Sequence, residues 1–224
     1  KKSLKDLELK KMLLEFNNDV FVKDLNNFKF IANEPLCYWI DNKTLALIKE
    51  SPQFKNSERG AFAGLATTDN FRFTRNLWEV SNAGFGQEKI SLKWNNFIIS
   101  GLPNRFLADF TQVVNWDHSG QEIKSFIVGK GMSITKRVVG ESIYQKPGLS
   151  WPRRTANFAP HVIPENFILS SSRYVAIGNL DEMTAICALW NSVYFDFIIK
   201  LSMGMESGNP EFINGAVNRL PFIK

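Results

Sequence analysis

Cysteine and histidine are scarce in this chain, with two of each in 224 residues. Cys37 and Cys187 stand apart in apolar segments, and neither CxxC spacing nor a Cys/His grouping occurs. That excludes a disulfide framework and a zinc site of ordinary spacing. Both are expected to be buried, reduced thiols, not joined to each other, which suits the cytoplasm. Long apolar runs are missing as well. No stretch approaches the roughly 18 consecutive apolar residues of a membrane-spanning helix, so no membrane is expected among the partners. The opening KKSLKDLELKK has neither a methionine nor the apolar stretch of a secretion signal. The expectation is a piece of a longer cytoplasmic protein.

Net charge is also low, at +5. Its placement says more than its size. Lys130, Lys136, Arg137, Lys146, Arg153 and Arg154 face only one acid, Glu141, between residues 129 and 154, a local excess equal to that of the whole chain. From residue 155 onward, four cations meet six anions. The basic stretch SIYQKPGLSWPRRTANF carries Tyr144, Trp151 and Phe158 among its cations. Lys146-Pro147-Gly148 and Trp151-Pro152 impose turns that expose loops, where phosphate and base contacts tend to be made. The alternative is structural, with Trp151 in the core and Arg153-Arg154 merely solvated.

What is plentiful is apolar and aromatic residues, 44% and 13% of the chain, enough for a substantial core. Ser3 can cap a helix carrying Leu9, Met12, Leu13 and Phe16, and Asp41 a second that ends before Pro52. Between Ala61 and about Ile177, runs such as AFAGLAT, FRFTR, FIIS, QVVNW, EIKSFIV, SITKRVV, ESIYQ, NFILS and RYVAIG alternate with turn residues, which predicts many short strands. VNWDHSGQEIKSF reads as a hairpin turning at Asp117 to Gly120. Asp181 opens one long apolar helix through Leu201. The expected fold class is α+β: a strand-rich, mostly antiparallel mixed sheet flanked by an N-terminal helical segment and a C-terminal packing helix. Residues 1–52 form the helical lead-in and 53–224 the main domain.

Several motifs suggest catalysis but lack its context. DHSGQEIK sets Asp117 near Glu122 and Lys124, as in some metal-dependent nucleases, yet a tight turn explains the same residues. Asp117, His118 and Ser119 are sequence neighbours, which is not triad geometry. NAGFGQ precedes no helix pattern, and SGNPEF has Glu211 where an amino-methyltransferase motif would carry a second proline. No catalytic residue and no metal ligand is therefore expected here.

One stretch raises a sharper question. In GLATTDNFRFTRNLWEV, two arginines alternate with phenylalanines after a polar turn, either as a half-buried strand or as a loop presenting cations. In a strand Arg72 and Arg75 point opposite ways; in a helical turn they share a face.

Taken together, GLATTDN-F-RF-x-R-x-LWEV, VVNWDHSGQEIK, YQKPGLSWPRRT, ALWNSVYFDFIIK and a final LPF resemble the target-recognition region of large adenine-N6 DNA methyltransferases. These include type IIG restriction–modification and phage-defence enzymes. The resemblance spans roughly Tyr38 to Phe222, and its first and third blocks are the most specific. It implies that residues 53–224 are a target-recognition domain reading double-stranded DNA. It also implies that the catalytic domain of the same parent chain is a partner, and that the parent uses S-adenosylmethionine, with no cofactor in this fragment. Whether the parent also cleaves DNA stays open. The DNA-binding residues so implied are Thr67, Asn70, Arg72, Arg75, Lys130, Lys136, Arg137, Lys146, Arg153 and Arg154, with Phe71 and Phe73 anchoring the loop in the core. The family usually has Thr-Gly-Asp-Asn where this chain has Thr67-Thr68-Asp69-Asn70, and the non-glycine argues against a left-handed turn there. Two other function classes fit the composition: a protein-interaction or scaffold domain of a defence complex, and a carbohydrate-binding β-module suggested by the six tryptophans.

Overall fold

Short strands bounded by turn residues assemble into two four-stranded sheets in the computed structural model of the chain, which describes residues 7–8, 10–11, 22–31, 33–80, 93–99, 104–203 and 210–223. The first sheet contains β1 (Gly60–Ala63), β5 (Gly148–Pro152), β6 (His161–Ile163) and β8 (Arg173–Ile177), in the order β1-β8-β5-β6 and antiparallel throughout. The second contains β2 (Thr74–Asn76), β3 (Trp94–Ile98), β4 (Gln112–Asn115) and β7 (Phe167–Leu169), in the order β2-β4-β3-β7. Only its β3–β7 pair is parallel. The α+β class and the mostly antiparallel pairing agree with the expectation from sequence.

The two-residue period of each strand sorts side chains into three cores. On β5, Leu149 and Trp151 face a core shared with Phe158, Trp190, Phe195 and Phe212. On β7, Phe167 and Leu169 join Ile98, Ile163 and Val175 between the sheets, while Ile168 faces the other way. There it meets Phe73, Phe97 and Val114 under a helix that supplies Ile123 and Ile127. The result is a sheet-on-sheet stack with helices on both outer sides. Phe28, Ile31, Cys37, Ile40, Leu45 and Ile48 enter the first core, so the lead-in up to residue 52 packs with the main domain.

Helices form where caps and apolar spacing agree. Asp41 caps α1 (Asn42–Glu50) by accepting from the Lys43 and Thr44 amides, as its sequence predicts. The helix expected around Ser3 lies largely outside the described residues, of which 7, 8, 10 and 11 are helical.

Four segments predicted as strands differ. FRFTR splits into a helical turn, α2 (Asn70–Phe73), and then β2. EIKSFIV is the body of α3 (Asp117–Gly129), SITKRVV contains α4 (Ile134–Arg137), and ESIYQ begins with a 3-10 turn, Glu141–Ile143. The hairpin expected at 114–126 is therefore a strand-to-helix junction. Its turn is real: His118, Ser119 and Gly120 are all left-handed, at φ 48, 56 and 71. A Cβ on Gly120 would stand 2.4 Å from the Trp116 ring, so both the conformation and the space demand glycine. A tight turn of either kind needs these residue types, and only the packing of Ile123 and Ile127 selects the helix.

The long C-terminal helix is two helices, α5 (Leu180–Trp190) and α6 (Val193–Leu201), bent by 85°. Asn191 Nδ2 donates to Pro160 O and Cys187 O at 2.8 Å, and Ser192 caps α6 through the Phe195 amide. The bend lets both apolar stripes reach the first core. Among the described residues, no single helix is long and apolar enough to cross a membrane. A last short helix, α7 (Asn214–Asn218), follows. Cys37 and Cys187 are buried and free, and burial raises both thiols.

Candidate nucleic-acid interface

The loop from Gly64 to Asn70 is fixed by backbone contacts on both sides. The Leu65 amide donates to Leu169 O at 2.7 Å, and the Ala66 amide to Arg137 O at 2.7 Å. A Cβ on Gly64 would come within 2.1 Å of Leu169 O, so this close approach of two backbones requires glycine. Thr67 is buried, and its hydroxyl donates to Asn70 Oδ1. Thr68 sits at φ 67, against the expectation raised by its side chain: the left-handed turn is present, with a β-branched residue in it. The anchors around it hold that conformation at a local cost. Asp69 then caps α2 by accepting from the Arg72 amide at 3.0 Å.

The alternation of arginine and phenylalanine resolves into a helical turn followed by an edge strand. Phe73 is fully buried. Phe71 is 94% exposed, which corrects its expected role as an anchor. One helical turn cannot bury both residues 71 and 73, because they diverge by about 200° around the axis. Arg72 donates to Glu122 at 3.0 Å and lies over the rings of Phe73 and Phe126, 5.2 and 5.0 Å from their centroids. Arg75 does not share that partner. Its guanidinium donates to Phe71 O at 2.8 Å and Thr74 O at 2.6 Å, near the Trp94 ring.

The basic stretch contributes to the same region through its first half. Lys130 lies 5.5 Å from the Phe126 centroid, so it and Arg72 meet on one ring. Arg137 holds the 64–70 loop through its carbonyl, with exposed Lys136 beside it on α4. Lys146 is exposed after Gln145, whose amide donates to Phe167 O on β7. Thr67, Asn70, Arg72, Arg75, Lys130, Lys136 and Arg137 thus belong to the second sheet and its helices, and Lys146 to the connection that leads into β5.

Arg153 and Arg154 belong elsewhere. They follow β5, beside the first core, and both grip Glu211: Arg153 through Nε, Arg154 through Nη2 at 2.7 Å. Their bonds, Arg154's first, hold the Glu211 carboxyl below its ordinary value. In the sequence this partner, Glu211, stands out only as the misfit of SGNPEF, of which 207–209 lie outside the described residues.

The aromatic members of the basic stretch are structural. Trp151 and Phe158 are fully buried, and Trp151 Nε1 donates to Phe212 O at 2.8 Å. Tyr144 donates to Val139 O and stacks edgewise on Trp116. The exposed aromatics near the loop are instead Phe71 and Trp78. Sequence reasoning also missed Phe126, whose role depends on α3 being a helix.

The nuclease-like set is dispersed among other partners. Asp117 meets His118 at 3.0 Å, Glu122 is held by Arg72 and Asn115, and Lys124 pairs with Glu141 at 2.6 Å. NAGFGQ lies outside the described residues. No protein-family model matches this chain, and no curated protein matches it either.

Proposed function

We propose that this chain is the double-stranded DNA recognition part of an S-adenosylmethionine-dependent adenine-N6 DNA methyltransferase, with the chemistry supplied by the catalytic domain of the same parent chain. The observation that carries this reading is the gathering of cations from separate segments around one loop. Arg72 and Lys130 share the Phe126 ring, and Arg137 is hydrogen-bonded to the loop's Ala66. The sequence resemblance supports it, since one of its two most specific blocks is that same loop. Cations on loops suit phosphate contacts, which position a protein on a duplex, while base edges supply specificity.

Binding of a fluorescent duplex, followed by anisotropy against salt concentration, tests the reading. Contact with about four to six phosphates gives a log–log slope of roughly −4 to −5. Affinity independent of salt, or equal binding to a neutral polysaccharide, would refute it in favour of the scaffold or carbohydrate readings.

A further inference from the structure

Two buried polar atoms on neighbouring strands of the first sheet have no hydrogen-bond partner, Ser150 Oγ on β5 and Arg173 Nε on β8, and between them His161 Nδ1 on β6 has none of good geometry. The strand register brings them together. Ser150 stands opposite His161 on one side and Val175 on the other, and Arg173 stands opposite Pro152. Directly opposed and diagonal residues share a face of a sheet and lie about 4.5–8 Å apart. All three side chains therefore leave the sheet on the side away from Trp151 and Tyr174. Ser150 and His161 are 0% exposed and Arg173 is 1% exposed.

The chemistry of the trio is one-sided. Arg173 Nη1 lies 3.4 Å from His161 Nε2. A guanidinium only donates, so Nε2 is the acceptor and the imidazole proton sits on Nδ1. Burial, then the Arg173 charge, lowers His161 to about 4, so the ring is neutral at physiological pH. Arg173 Nε–H and the Ser150 hydroxyl thus present two open donors and one full positive charge, while the His161 imidazole also faces the backbone carbonyls of Asn104 and Ala159. No described carboxylate pairs with Arg173, and burial alone lowers its guanidinium to about 10. An unpaired buried charge is costly. A trapped water would satisfy donors but leave the charge uncompensated.

We propose that Ser150, His161 and Arg173 form an internal site for a small oxyanion with the chemistry of inorganic phosphate or sulfate. The site does not rest on the DNA reading, because Arg173 is too deeply buried to meet a duplex phosphate. An anion there ties β5, β6 and β8 together at the face that meets the second sheet, and its role is to complete the fold.

The test uses the 224-residue chain. Acid release and ion chromatography would read any anion carried through purification. Thermal melts in phosphate, sulfate and chloride at matched ionic strength, with phosphorus NMR titration, would read added anion. The expected result is about one oxyanion per chain, or a saturable rise in melting temperature in phosphate or sulfate over chloride. Arg173→Met should abolish that response. Ser150→Ala, which keeps the charge and removes one donor, should weaken phosphate about tenfold, so the proposal remains testable if the first variant does not fold. No released anion together with identical melts in all three salts would overturn the site, as would an undiminished phosphate response in Arg173→Met or in Ser150→Ala.

Discussion

Arg72 donates to Glu122 Oε1 at 3.0 Å, with both side chains about half exposed. The contact joins α2 and α3 across 50 residues of sequence, and it places a carboxylate where a phosphate would otherwise compete for the same guanidinium. An exposed pair of this kind contributes at most about 1 kcal/mol to stability.

Glu122→Gln should therefore leave the melting temperature nearly unchanged and tighten duplex binding about three- to tenfold. Freeing one cation for a phosphate should steepen the log–log salt slope by about one. Anisotropy titrations at several salt concentrations measure both quantities. Unchanged affinity and slope would mean that Arg72 makes no phosphate contact.

Arg153 and Arg154 sit on Glu211 rather than beside the loop, which separates their contribution from that of Arg72. Replacing both with alanine should weaken duplex binding and make the slope shallower by about one to two, while the fold is kept. Glu211 provides a control with a defined sign. Its folded value is depressed, so the stability it adds is present above its ordinary value of 4.5 and is lost as pH falls through the lower folded value. Melts of Glu211→Gln and wild type should converge below that window and differ, modestly, above it. A constant gap across pH 2 to 7 would contradict the ion pair.

Thr68 occupies a left-handed conformation at φ 67. Thr68→Gly should stabilise the domain by about 0.5–1 kcal/mol, since relief of the strained β-branched backbone outweighs the added freedom of the unfolded glycine. Urea unfolding would measure it. Destabilisation would show that the Thr68 side chain does something the turn geometry does not explain.

Trp151 is fully buried, donates to Phe212 O, and packs against Phe158, Tyr174 and Trp190. Trp151→Ala should cost roughly 3–5 kcal/mol. Trp151→Phe should cost less, because it keeps the ring contacts and loses mainly the indole donor. Chemical denaturation of both variants gives the comparison, and equal losses would mean that the hydrogen bond dominates.

The strands that read correctly in the sequence, such as QVVN and RYVAI, combine β-branched residues with turns at both ends, so local chemistry was sufficient. Asp41 and the glycine-bearing turn at Gly120 were legible for the same reason. The segments that misled were EIKSFIV, SITKRVV and FRFTR, whose apolar residues fit a period of two as well as one of 3.6. Packing alone breaks that tie: Ile123 and Ile127 are one helical turn apart and both fully buried over the second sheet. Composition determined where the positive charge lies along the chain. It could not determine that Lys130 joins Arg72 while Arg153 and Arg154 join Glu211, because those pairings span about 60 residues and depend on which sheet each segment enters. The buried trio of Ser150, His161 and Arg173 lies furthest from anything local chemistry specifies. Its members become neighbours only when three strands settle into one register.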